Sequence, residues 1–116
     1  MRPTRRICNL LTEGKAMKKT FATFFVPGPA WIAGKTSREQ PYWTEHAAFL
    51  DKLFADGMVI LGGPFANYSD LLVIIEADTE EQVHSLFKQD PFVLHNIIRV
   101  RAIREWLLFL DARRRA

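Results

Sequence analysis

The segment LLVIIE, Leu71 to Glu76, carries apolar side chains in both phases of a strand: Leu71, Val73 and Ile75 on one side, Leu72 and Ile74 on the other. Successive side chains of a strand point to opposite faces, so this segment must be covered on both. FATFFV, Phe21 to Val26, behaves the same way, with Phe21 and Phe25 opposed to Phe24 and Val26. A chain built on such strands needs a sheet with something packed against each face.

The remaining elements come in order. After FATFFV there is a long loop, PGPAWIAGKTSREQ, punctuated by Pro27, Gly28, Pro29 and Gly34. Pro41 suits the first turn of a helix running to about Asp56, with Gly57 as its C-cap. In that helix Trp43, Ala47, Leu50, Leu53 and Phe54 share one apolar face. MVILGG reads as a second strand, GPFANYSD as a turn and LLVIIE as the third strand. Thr79 and Gln82 form a capping box for the helix TEEQVHSLFKQ, which stops at Asp90 because the residue before Pro91 is pushed out of the α region. A long last strand, Ile98 to Phe109, closes the domain.

The order β-α-β-β-α-β gives an α+β fold with ferredoxin-like topology: a four-stranded antiparallel sheet with two helices on one face. It brings the start of the first helix, the end of the second, the long loop and the GGPFANYSD turn to one pole. Both helices cover the same face, so a second copy closing sheet against sheet is the economical cover for the other. The alternative is a terminal segment folding back.

Charge divides unevenly. The chain has 16 Lys+Arg against 13 Asp+Glu, a net +3. Six basic residues and one acid lie up to Lys19, and three arginines and one acid come after Leu110. The body therefore holds seven basic residues against eleven acidic ones and offers no basic stripe for nucleic acid. We read 1–19 as a disordered basic extension, 20–110 as the domain and 111–116 as a basic tail. MKKTFATFFVPGPA has a basic start and an apolar run, but Pro27 and Pro29 cut the run too short for a secretory signal. No stretch has the length of a membrane span. Cys8 is the single cysteine, and the three histidines show no metal-ligand spacing. A cytoplasmic protein without metal or cofactor fits best.

Two residues break the apolar pattern. His46 falls on the greasy face of the first helix, and Asp90 faces inward four residues after Leu86. The topology brings them to the same pole. A carboxylate beside the ring would fix its tautomer and stabilise the cation it becomes, which is what a general base needs. The competing reading is a satisfied packing or capping histidine. Lys35 and Arg38 in the long loop could hold a substrate carboxylate, or could be solvated charges. Tyr42 and Phe65 would wall the pocket, and the N–H groups of Gly62 and Gly63 could hold developing negative charge, whereas Pro64 has none to offer. His84 reads as a surface residue, His95 has no visible partner, and Glu45 is solvated.

His46 near the helix start, GGPF at Gly62–Phe65 and QDPFVL at Gln89–Leu94, in this order, resemble the YciI-like (YCII-related) family over about Thr20 to Phe109. The resemblance implies a ferredoxin-like fold of the dimeric α/β-barrel superfamily and a His–Asp site at His46 and Asp90. It also implies similarity to muconolactone isomerase and chloromuconolactone dehalogenase, which need no metal. The function expected on that basis is proton transfer on a carboxylated lactone or related small organic acid, of isomerase or lyase type, by a homodimer. A non-catalytic ligand-binding accessory protein is the alternative from another class. A haem- or oxygen-using monooxygenase is a third.

Overall fold

A computed structural model describes residues 18–114. The elements are β1 (Lys19–Pro27), α1 (Trp43–Ala55), β2 (Val59–Pro64), β3 (Leu71–Ala77), α2 (Glu80–Phe87), the one-turn α3 (Pro91–Leu94) and β4 (Ile98–Glu105). Two 3-10 turns, Ser37–Glu39 and Ala112–Arg114, flank them. The expected extension, up to residue 17, and the last two residues of the expected tail lie outside the described residues. The strands form one antiparallel sheet in the order β2-β3-β1-β4, the expected ferredoxin-like arrangement.

The alternation along the strands sorts the core. Phe21, Thr23 and Phe25 of β1 lie on the same side as Leu71, Val73 and Ile75 of β3, and all are buried. Leu53 of α1, Val83 and Phe87 of α2 and Phe92 of α3 complete that core. Phe87 meets Phe25 edge-on at 5.0 Å between centroids and Phe49 at 6.3 Å, so both long helices sit on this one face. Thr79 caps α2 by accepting from the Gln82 N–H at 3.1 Å, as its position before the helix requires.

Three boundaries and the burial of one residue differ from expectation. α1 starts at Trp43 and not at Pro41, because Tyr42 takes a left-handed conformation (φ 68°) that breaks the helix before it. Phe54, expected on the apolar face, is 62% exposed. α2 ends at Phe87, so Asp90 does not extend it. Asp90 instead caps α3, with Pro91 in the first helical turn. β4 ends at Glu105, opposite Phe21, although β1 runs on to Lys19 in its pairing with β3. The last tie is the Trp106 N–H donating to the Thr20 carbonyl at 2.8 Å.

On the other face lie Ala22, Phe24, Leu72, Ile74 and Ala102, with the Arg101 guanidinium 5.1 Å above the Phe24 ring. The chain after β4 turns back toward this face. Arg113 and Arg114, expected in a free tail, pair with Asp111 and reach Glu76 of β3, Arg114 at 2.8 Å. Trp106, Leu107, Phe109 and Leu110 remain exposed, the last two above 90% (92% and 94%).

Candidate functional site

His46 occupies the first turn of α1, where its N–H makes the first helical bond, to the Tyr42 carbonyl at 2.9 Å. Its placement on the apolar face turns the ring inward, and only 5% of the residue is exposed. Asp90 is fixed from the other side. Its Oδ1 accepts the Phe92 N–H at 2.9 Å, as an N-cap does, so the side chain cannot swing away from α3. The same oxygen lies 2.8 Å from His46 Nδ1. The expected juxtaposition of the two residues is therefore direct.

The imidazole is held by more than that bond. Phe92 stacks on it face to face, centroids 3.9 Å apart and planes within 7°, and Trp43 leans on it at 5.6 Å. Since a carboxylate oxygen accepts, Nδ1 donates and carries the proton. In the neutral ring this leaves Nε2 as the acceptor, and among the described residues nothing hydrogen-bonds to it. The Asp90 bond and the Phe92 stack together set the ring's orientation.

His46 and Asp90 both line an open cleft of about 950 Å³ between α1 and the β2 edge of the sheet. The other walls relevant to chemistry are Ser37 and Arg38 from the long loop, Trp43, Gly62 and Gly63, and Tyr68. β2 is an edge strand, so one of the two consecutive glycine N–H groups is left unused by the ladder. Gly62 is also tightly packed, since a Cβ there would lie 3.2 Å from the Leu72 carbonyl oxygen. Two buried side-chain oxygens of residues lining the cleft lack any partner: Asp90 Oδ2 and Ser37 Oγ.

The sequence expectations separate here. Arg38, Gly62 and Gly63 lie with the His–Asp pair, but Lys35, Tyr42 and Phe65 are not among the lining residues. Tyr42 instead stacks on His95, planes 2° apart and centroids 3.7 Å, which gives His95 the partner the sequence did not reveal. That stack holds Tyr42 in a conformation costing about 1 kcal/mol for a residue with a Cβ. Phe65 sits in the turn after β2, about half exposed. His84 lies at the surface near Glu80, and Glu45 is exposed, as expected.

Three contributors went unread. Phe92 was visible within QDPFVL, but its stacking role depends on the helical turn that Asp90 and Pro91 start. Gln40, only 3% exposed, staples the long loop: its Oε1 accepts the Ile32 N–H at 2.8 Å, and its amide donates to the carbonyls of Ile32 (2.9 Å) and Lys35 (3.2 Å). Ser37 is the third. Its turn is closed by Glu39, whose carboxylate accepts the Thr36 N–H at 2.8 Å, and this bond holds the Glu39 carboxyl below its ordinary range. A polar residue inside an otherwise ordinary loop gives no periodic signal.

A family model, the YCII-related domain, matches residues 24–107. The chain belongs to the YCII-related family. Among curated proteins it is similar to the uncharacterized protein YjpA of Bacillus subtilis (strain 168), with 32% identity over 77 residues, covering 63% of this chain and 89% of that one. No solved structure matches it at significance. The matched segment of this YCII-related domain spans both His46 and the Asp-Pro-Phe turn, so the elements that build the pair lie within the family's region. No helix among the described residues is long and apolar enough to cross a membrane.

Proposed function

We propose that this YCII-related protein is a small cofactor-independent enzyme that moves a proton next to a carbonyl in a carboxylated lactone or related small organic acid. The observation that carries this reading is the buried His46–Asp90 pair, 2.8 Å apart, on the wall of an open cleft. His46 Nε2 takes the proton. Asp90 holds the ring and stabilises the imidazolium that forms, and the ring then returns the proton to another carbon or to a leaving group. An isomerase returns it at a new position; a lyase expels the group. An unused N–H at Gly62 or Gly63, on the same cleft, would donate to the developing enolate oxygen.

The reaction class agrees with the resemblance to muconolactone isomerase and chloromuconolactone dehalogenase. We further propose a homodimer joined through the sheet face carrying Phe24, Leu72 and Ala102, and a cytoplasmic location in keeping with the single cysteine. The exposed Trp106, Leu107, Phe109 and Leu110 beside that face support the dimer. A second reading, a ligand-binding accessory protein without turnover, is favoured by one feature: the partnerless Asp90 Oδ2 and Ser37 Oγ would serve binding as well as chemistry.

The deciding experiment is His46→Ala, assayed by NMR for conversion of carboxylated γ-lactones. We expect turnover to fall by about 10²–10⁴ while the variant stays folded and dimeric. Unchanged turnover would remove His46 from the chemistry, and affinity that changes without any turnover in the parent protein would favour the accessory reading.

A further inference from the structure

Ser37 is buried to 6% exposure, lines the cleft, and its hydroxyl has no hydrogen-bond partner. A hydroxyl withdrawn from water without a partner is destabilising, and natural structures rarely keep one without a use. Its neighbour Arg38 lines the same cleft, with its guanidinium 5.9 Å from the centre of the Trp43 ring. Among the described residues Arg38 forms no ion pair, unlike Arg101, Arg113 and Arg114. A neutral donor and a free cation thus stand side by side on one wall.

The turn that presents them is rigid. Glu39 closes it onto the Thr36 N–H, and Gln40 fastens the preceding loop with three hydrogen bonds. Further back, the Gly28 N–H donates to the Ile97 carbonyl and the Ala30 N–H to the Asn96 carbonyl, tying the loop to the chain just after α3. A Cβ on Gly28 would collide with the Asn96 carbonyl, so this approach requires glycine. The loop carrying Ser37 and the turn carrying Asp90 are therefore parts of one framework.

We propose that Ser37 and Arg38 form the subsite for the ligand's acid group, with Ser37 Oγ donating to a carboxylate oxygen and Arg38 supplying the opposite charge. The assignment rests on the reading of the cleft as the substrate site. Its geometry suits the chemistry. The Trp43 ring lies 5.9 Å from the guanidinium and 5.6 Å from the imidazole, so both groups adjoin one ring on the cleft wall. Among the described residues the exposed acid on this cleft is Asp51, eight residues along α1 from Trp43, about 12 Å at the helical rise. The nearer acid, Glu39, has its carboxylate taken up by the Thr36 N–H at 2.8 Å. Lys35, the other loop cation, takes no part.

The test uses two probes, 5-oxotetrahydrofuran-2-carboxylate and its methyl ester, titrated by ¹H–¹⁵N NMR into the full chain and into Ser37→Ala and Arg38→Gln. The acid should bind about tenfold or more tightly than the ester. Either substitution should weaken the acid about five- to tenfold and leave the ester unchanged. Ser37→Ala should fold as well as the parent, because it deletes an unsatisfied group and no bond. A destabilised Ser37→Ala variant, an acid that fails to bind or binds no better than its ester, or an acid indifferent to Ser37→Ala would each overturn the subsite. The His46→Ala turnover assay is independent of these affinities. A subsite that holds while turnover survives His46→Ala would leave the acid recognition standing and the proton-transfer reading fallen.

Discussion

At the scale of single residues, two phenylalanines show why position along a helix is an incomplete guide to burial. Phe54 and Leu53 are adjacent at the end of α1, and spacing alone puts both on the apolar face; Leu53 is buried and Phe54 is not. Phe92 carries no periodic signal at all, yet it is fully buried and stacked on the catalytic candidate. The consequence is measurable by urea unfolding. Phe92→Ala should cost about 3–5 kcal/mol, as for a large side chain deleted from a packed core, whereas Phe54→Ala should stay within about 0.5 kcal/mol. Equal losses at the two positions would contradict the packing described. His46 and Asp90 were legible because each breaks an apolar pattern. Ser37, Gln40 and the stack of Tyr42 on His95 were not, since they depend on loop geometry and a left-handed residue that spacing does not encode.

At the scale of elements, the sheet order, both long helices and the common pole were legible from alternation and turn residues. The end of β4 was not, because Trp106 to Phe109 is as apolar as a strand although the pairing stops at Glu105. Beyond β4 the chain forms a small charged clasp, with Arg113 held by Asp111 and both arginines reaching Glu76. The Arg113 guanidinium, hydrogen-bonded to Asp111, lowers that carboxyl from an ordinary 3.8 to about 2. A carboxyl depressed in the folded chain favours the closed clasp above its unfolded value, and that contribution disappears as the pH falls through about 2. In a ¹³C titration of the side-chain carboxyls, Asp111 should therefore have its midpoint at about 2. A midpoint at the ordinary value would mean that the clasp is open in solution. High salt should also loosen it, since its members are at the surface.

At the scale of the whole molecule, the fold divides its work between two faces. One face takes the helices and carries the cleft; the other carries apolar side chains and exposed apolar residues just beyond β4. Family membership accounts for the frame, and the chemistry must come from the site grafted on it. The proposed proton transfer requires that Asp90 fix His46 with Nδ1 protonated and Nε2 free toward the cleft. Long-range ¹H–¹⁵N correlation spectra of His46, recorded at about pH 9 where an ordinary histidine is neutral, read this directly. The structure predicts a single Nδ1–H tautomer in the parent chain, lost or mixed in Asp90→Ala, which removes the acceptor. An Nε2–H tautomer, or the same spectrum in both proteins, would contradict it.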